Sequence, residues 1–316
     1  MKEKISFVIP CYNSEKMIAE VIRRIEQTIN QREKCYEYEI ILINDCSKDK
    51  TWEVISALAE SNEKIKAINF SKNFGQQHEM MACYKYADGD YIIGLDDDGE
   101  NKPEDMFLLL DKLFEGYDCV FAEYQLHESP IRGIGTLVNN LMAEYLIDKP
   151  KDITLSSYYV VRRFVIKQII EYDKAYPYIA GLILQATKNI AVVPLERDFR
   201  LQGSSGYTLK KLISLWVNGF TAFSVKPLRI ATCAGMLFSC VGFLWGAILV
   251  VQKLIGYELE AGYTSIVACL VFFFGVIMIM LGIIGEYIGR IYISINNAPQ
   301  YVIKEIKQHE GNNKDE

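Results

Sequence analysis

The sequence predicts an α/β domain on a mostly parallel, doubly wound sheet, followed by an amphipathic helix and two membrane-crossing helices. Three observations carry this expectation. Short apolar runs alternate with helix-patterned stretches from Ile5 to Ala122, as strand–helix–strand units of a parallel sheet do. Charge is concentrated in residues 1–225, whereas Ile230–Val251 and Ala261–Gly285 carry none. Shortly before the first of these stretches, Leu209, Leu212, Ile213, Trp216, Val217 and Phe220 form an apolar stripe beside Lys210 and Lys211.

The strands and helices follow in order. Ile5–Ile9 reads as a buried strand stopped by Pro10. Ser14 can then cap a helix whose Ile18, Val21, Ile22, Ile25 and Ile29 fall on one face. Tyr38–Ile43 is the next strand, and a capped helix after Ser47 turns Trp52, Ile55, Leu58 and Ala59 inward. Ile65–Phe70 and Tyr91–Leu95 repeat the strand pattern, with a helix around Gln76–Ala87 between them. Pro103 sits near a helix start, Met106–Phe114 carries that helix's apolar face, and Cys119–Ala122 is a fifth strand. Ligands of such sheets bind beyond the carboxyl ends of the strands. Pro10-Cys11-Tyr12-Asn13, Asn44-Asp45-Cys46-Ser47 and Asp96-Asp97-Asp98 all lie there.

The apolar stripe that begins at Tyr207 fits an interfacial helix, or equally an ordinary core-facing one; its place just before a span favours the interface. Each charge-free stretch is long enough to cross a hydrocarbon core of about 30 Å at about 1.5 Å per residue. Lys210, Lys211, Lys226 and Arg229 precede the first stretch, and Arg290, Lys304 and Lys307 follow the second. The loop between offers Lys253 against Glu258 and Glu260, so positive charge places both ends in the cytoplasm. The expected division is 1–206 catalytic domain, 207–228 interfacial helix, 229–293 two-helix anchor and 294–316 cytoplasmic tail, with 308–316 polar and disordered. The start, Met-Lys-Glu-Lys, leads into only a short apolar run, so the first domain is expected to fold in the cytoplasm.

Composition narrows the function. A net charge of -6 with no basic block argues against nucleic acid as a partner. No G-x-G-x-x-G or G-x-x-x-x-G-K-[ST] follows a strand, which removes the main support for dinucleotide oxidoreductases and P-loop enzymes. The eight cysteines are scattered without a C-x-x-C pair and read as small buried hydrophobes. His78, His127 and His309 show no metal spacing.

Asp96 and Asp98 are two apart, so in extended chain they point the same way, with Glu100 available to join them. Crowded carboxylates repel unless a cation relieves them, and oxygen ligands of this kind suit Mg²⁺ or Mn²⁺. An acidic turn facing solvent is the plainer alternative; the position just after a buried strand favours metal and diphosphate. Asp45 can accept a hydrogen bond from a uracil or guanine ring N–H, or can cap the helix near Ser47. Tyr12 can stack on a base or simply pack.

These strand-end runs, with Asn73-Phe74-Gly75-Gln76-Gln77, resemble family 2 glycosyltransferases of GT-A fold, and within them the polyprenyl-phosphate glycosyltransferases. The resemblance continues through Arg200-x-x-Gly203-x-Ser205-x-Tyr207 and Gly285-Glu286-Tyr287-Ile288-Gly289-Arg290-Ile291-Tyr292, so it spans nearly the whole chain. It implies inverting transfer from a nucleotide sugar to a lipid phosphate in the membrane, and a homo-oligomer, a tetramer in the family. It assigns Pro10, Tyr12, Asn13, Asp45, Asn73, Gln76, Asp96 and Asp97 to the nucleotide, and Asp96, Asp98 and Glu100 to the metal. Asp98 and Arg200 become the catalytic pair, with Arg132, Ser205 and Tyr207 toward the phosphates. Cys46, Ser14, Glu100, Gly206 and Ser156 depart from the family pattern, Ser156 standing where an acidic residue is frequent. The sugar stays open; likeness to the formamido-arabinose enzyme leans toward UDP. A processive polysaccharide synthase would carry Gln-x-x-Arg-Trp, which is absent. A non-catalytic membrane scaffold is opposed by intact Asp96, Asp98 and Arg200.

Overall fold

The computed structural model describes residues 2–31, 36–124, 144, 150, 153–196, 226–255, 262–295 and 299–309. It divides into two units: Met1–Ile213 with Ala298–Glu316, and Ser214–Asn297.

The first unit is built on an eight-stranded sheet. Its strands are β1 (Glu3–Cys11), β2 (Tyr36–Asn44), β3 (Ile65–Phe70), β4 (Tyr91–Gly94), β5 (Cys119–Tyr124), β6 (Tyr159–Arg162), β7 (Ile190–Leu195) and β8 (Ile303–Gln308). The order across the sheet is β7-β5-β6-β4-β1-β2-β3-β8. β1 lies parallel to β2 and β4, β2 to β3 and β5 to β7; β6 and β8 run antiparallel to their neighbours. The sheet is therefore mixed, with a parallel centre, and all five expected strands are in it.

Alternation along β1 explains how helices cover both faces. Ile5, Phe7, Ile9 and Cys11 point into one core with Ile40 and Leu42 of β2. That core takes the apolar stripe of α1 (Ile18–Asn30), Ile55 and Ala59 of α2 (Thr51–Ser61), and Leu109, Leu110 and Leu113 of α4 (Met106–Phe114). Helix α3 (Gln76–Tyr86) contacts β1 and β2 and buries Met80, Ala82 and Cys83. Two short helices, α5 (Arg163–Ile169) and α6 (Ile179–Ala186), complete the described part of this unit.

Local chemistry differs from expectation at two helix starts. Met17 holds the position before α1 with no side-chain cap; Ser14 contributes its carbonyl instead, accepting from Met17 N at 2.9 Å and Ile18 N at 3.1 Å. Helix α2 begins at Thr51 rather than just after Ser47, and Asp49 Oδ1 accepts from Thr51 N at 3.1 Å.

The larger correction concerns the C-terminal segment, expected as a tail. Ile303–Gln308 is β8, paired antiparallel with β3. Its half-buried face carries Ile303, Glu305 and Lys307. Asn69 Nδ2 donates to Glu305 Oε1 at 3.2 Å, and Lys307 pairs with Glu60 at 3.1 Å. Polar pairs to β3 and to α2 hold this strand, so no apolar alternation announces it. Residues 310–316 lie outside the described residues.

The second unit contains α7 (Lys226–Leu254) and α8 (Tyr263–Ile295). Among the described residues one stretch, Phe272–Ile293, is long and apolar enough to cross a membrane, with a mean hydropathy of 2.0. It overlaps the expected Ala261–Gly285 from Phe272 to Gly285 and extends eight residues further. Ala231–Gly242 is a shorter apolar stretch within α7. Met278, Ile279, Ile288 and Tyr292 stand exposed along α8, an apolar surface of the kind that needs a non-aqueous partner. The stripe from Leu209 to Phe220 lies outside the described residues.

Candidate active site

The carboxyl ends of β1 and β2 are locked together by backbone groups. Asn13 N donates to Ser47 Oγ at 3.0 Å, and Lys48 N donates back to Asn13 Oδ1 at 2.9 Å. Both turns pass through left-handed backbone at non-glycine residues, Asn13 and Cys46, each with φ of 56°. Asparagine tolerates this region better than most side chains, and cysteine gains nothing there. Tyr12 projects from this corner with 44% of its surface exposed.

Asp45 is only 1% exposed. Its Oδ1 accepts from Phe74 N and its Oδ2 from Gly75 N, both at 2.7 Å, and Asn73 Nδ2 donates to Asp45 O at 3.3 Å. The helix-cap alternative does not describe this arrangement. In place of capping α2, the carboxylate holds the turn that launches α3. Gly75 takes φ of 94° there, open to glycine and strained for other residues. Burial raises the Asp45 pKa, against the lowering by the two N–H donors and His78.

Glu79 was not expected at the site. It lies on α3, 2% exposed, and accepts from Cys11 N at 3.1 Å. Burial first, then the charges of Asp45 and Asp97, hold its pKa well above the usual carboxylate range, against the lowering by Cys11 N–H. The folded state thus keeps a proton that the unfolded chain releases near pH 4.5. By linkage, stability is fullest below that pH and is lost as pH rises through the folded pKa. Glu79→Gln keeps an acceptor for Cys11 and has no proton to lose. In thermal unfolding of the full chain, the variant should gain on the parent as pH rises from 5 to 8. The gain should approach about 1.4 kcal/mol per pH unit within the window; parallel pH profiles would refute it.

The acidic triplet is split by its turn. Strand β4 ends at Gly94, so Asp97 and Asp98 sit in a turn closed by Gly99 at φ 76°, not in extended chain. Asp96 faces three donors: Gln76 Nε2 to Oδ1 at 2.9 Å, Asn101 Nδ2 to Oδ2 at 3.3 Å, and Ser157 Oγ to Oδ2. Asp97 faces back to β1, its Oδ2 accepting from Tyr12 N at 3.0 Å. Its pKa is pushed up to about 7, first by burial and also by Asp96 and Asp98, against Tyr12 N–H and the Ser14 hydroxyl. Asp98 Oδ1 accepts from Glu100 N at 3.0 Å. Asp97, expected on the nucleotide, here serves the Tyr12 backbone.

A cavity of about 180 Å³ opens beside Asp96, lined among others by Pro10, Gln76, Leu95, Ser156, Ser157 and Tyr178. A larger, open depression of about 500 Å³ around Lys2, Asp90, Arg162 and Arg163 lies at the opposite ends of β1 and β4, away from these groups. Arg132, Arg200, Ser205 and Tyr207 lie outside the described residues. Ser157, Asn101 and Glu79 join the site without a local sequence signal, because each reaches it from another element.

Among the described residues, no group of three or more His, Cys, Asp or Glu side chains forms a ready metal cage. Mg²⁺ and Mn²⁺ do not require one: one or two carboxylates with substrate phosphates suffice. Asp96, oriented by its donors, and Asp98 on the same turn fit that donor set.

Clustered carboxylates beyond the strand ends of a doubly wound sheet define an α/β enzyme that works on a ligand at that edge. Comparison with known proteins gives the family. Residues 6–171 match the model for glycosyl transferase family 2, and residues 226–291 match the GtrB C-terminal hairpin. The bactoprenol glucosyl transferase of Shigella phage SfII is 33% identical over 320 residues, covering 98% of this chain and 99% of that protein. The undecaprenyl-phosphate 4-deoxy-4-formamido-L-arabinose transferase of Proteus mirabilis is 32% identical over 315 residues, covering 96% and 94%. In fold, the chain resembles Mycobacterium tuberculosis glucosyl-3-phosphoglycerate synthase, solved with Mn²⁺ and UDP-glucose. The TM-score is 0.53 and the identity 19%, over 69% of this chain and 77% of that one. The chain belongs to glycosyl transferase family 2 and is a glycosyltransferase.

Proposed function

We propose that this chain moves a sugar from a UDP-linked donor to polyprenyl phosphate at the cytoplasmic face of a membrane, with inversion at the anomeric carbon. The observation that carries the lipid acceptor is the route of the chain. It leaves the sheet unit, forms the apolar hairpin, and returns to the same sheet as β8. A segment whose two ends join one domain crosses a membrane an even number of times. With α8 apolar enough for one crossing, α7 supplies the other, which supports two spans with both ends on one side. An acceptor anchored in the bilayer and an enzyme anchored beside it meet at high effective concentration. The names of the phage and Proteus relatives point to the same acceptor class.

The chemistry follows from the acceptor. A lipid phosphate has a second pKa of about 6 and is largely dianionic at pH 7, so no general base is needed to deprotonate it. Ser156 in place of an acidic residue is compatible with that. A phosphate oxygen attacks the anomeric carbon in line, forming a new C–O bond as the bond to the nucleoside diphosphate breaks. The nucleoside diphosphate departs with the bonding pair. Asp96 and Asp98 would hold Mg²⁺ or Mn²⁺, which supplies charge stabilisation to the departing diphosphate. Tyr12, exposed at the β1 corner, and Pro10, in the wall of the cavity, frame the nucleoside side. Gln76 begins α3, whose N-terminal N–H groups favour an anion. Arg200, Ser205 and Tyr207 are proposed to close over the phosphates, and Arg132 to meet the lipid phosphate.

The test is a screen of nucleotide sugars with undecaprenyl phosphate and Mg²⁺ or Mn²⁺, with lipid products read by mass spectrometry. A UDP-sugar giving a polyprenyl-phosphate sugar is expected. Sugar transfer to soluble acceptors alone would overturn the reading.

A further inference from the structure

Asp96 is the most heavily tethered group at the site, and the tether extends beyond its immediate donors. Besides Gln76 and Ser157, Asn101 donates to it through Nδ2, and Tyr124 Oη donates to Asn101 Oδ1 at 2.7 Å. Asn101 is 1% exposed, and Tyr124 is the last residue of β5. A hydrogen-bonded line thus runs from the end of β5 through the turn after β4 to the Asp96 carboxylate.

The direction of that line is dictated by its two ends. An ionised carboxylate only accepts, so the Asn101 amide must turn its NH₂ toward Asp96. Its carbonyl then faces Tyr124, whose hydroxyl must donate. The reversed amide would set a carbonyl oxygen against the carboxylate. Asp96 thus selects one of two amide orientations that are nearly equal in shape, and the Tyr124 hydroxyl, by donating to the amide oxygen, holds Asn101 in it. An ionised carboxylate offers about four acceptor sites. The donors on Asp96 leave correspondingly fewer directions for an outside ligand.

We infer that Asn101 and Tyr124 are positioning residues that aim the Asp96 carboxylate at the metal and diphosphate of the donor. This rests on the proposed role of Asp96 as a metal ligand. Groups that orient a ligand from behind are worth about 10- to 100-fold in metal affinity or activity. Tyr124 keeps its ring and loses one oxygen in Tyr124→Phe, whereas Asn101→Leu removes the whole relay.

The experiment titrates Mn²⁺ into the full chain in detergent with uridine diphosphate, reading free Mn²⁺ by electron paramagnetic resonance. Thermal unfolding and sugar transfer are followed on the same preparations. Both variants should bind Mn²⁺ about 10-fold or more weaker than the parent, with transfer recovering as Mn²⁺ is raised. Tyr124→Phe keeps the test decisive should Asn101→Leu fail to fold. Mn²⁺ affinity within two-fold of the parent, whatever the shift in unfolding temperature, makes the relay merely structural and overturns the inference. A parent that binds no Mn²⁺ overturns the reading of Asp96 along with it.

Discussion

Asp98→Asn should lower the rate of sugar transfer about 1,000-fold while leaving the chain folded. The expected size comes from the charge on the departing diphosphate: losing about 4 kcal/mol of its stabilisation corresponds to that factor. Folding should survive because Asp98 is only half-buried, and its recorded backbone bond, from Glu100 N, can be accepted by an asparagine Oδ1 equally well. Asp97→Asn is the internal contrast. Asp97 spends its carboxylate on Tyr12 N, a bond that asparagine also accepts, so transfer should fall less than about 10-fold. Purified Asp98→Asn with full transfer activity would remove the metal–diphosphate role from this turn. Equal losses at both positions would mean that the triplet acts through the fold of its turn.

Much of the fold was legible because its centre is buried on both faces. Ile5, Phe7, Val8, Ile9, Ile40, Ile41, Leu42 and Ile43 form near-continuous apolar runs, as parallel strands covered by helices must. The strands outside the parallel centre were harder to see. β6 has only four residues, Tyr159–Arg162, and enters antiparallel between β4 and β5, which strand–helix alternation gives no reason to expect. β7 fully buries only its end residues, Ile190 and Leu195, and β8 is held through Glu305 and Lys307. β8 in particular is held by polar partners distant in sequence, Asn69 and Glu60.

The site divides in the same way. Its address, the strand ends after Ile9, Ile43 and Leu95, follows from apolar runs that stop. Its wiring does not. The alternation argument that separated Asp97 from Asp96 and Asp98 assumed extended chain, yet β4 stops at Gly94 and the turn sends Asp97 to Tyr12. Asp45 read as a ligand or helix cap because a lone strand-end carboxylate resembles both. That it holds the Phe74–Gly75 turn depends on β3 lying beside β2. Glu79 looked like one more polar residue of a helix, and only the sheet places it under Cys11.

Gly94, the last residue of β4, has a test of its own, because its missing side chain admits a close approach. A Cβ at Gly94 would lie 2.5 Å from Tyr159 Cζ and 2.7 Å from Cε1 and Oη. Gly94 and Tyr159 are register partners across β4 and β6, and the ring occupies the space a side chain at Gly94 would need. Tyr159 has little room to retreat: it is 3% exposed, meets the Tyr84 hydroxyl, and has the Phe121 ring centre 5.6 Å from its own. Its open side is the cavity beside Asp96, whose wall it shares with Leu95 and Ser157. Gly94→Ala should therefore cost about 3 kcal/mol of stability, the upper part of the usual range for overpacking. The displaced ring should also cut kcat/KM for transfer, because it enters the cavity. Tyr159→Leu removes the ring, and in that background the alanine should cost markedly less. A double-mutant cycle on unfolding free energy measures this, with an expected coupling above about 1 kcal/mol. Additive losses would show that the glycine is required for its backbone alone, and that Tyr159 does not set the shape of the cavity next to Asp96.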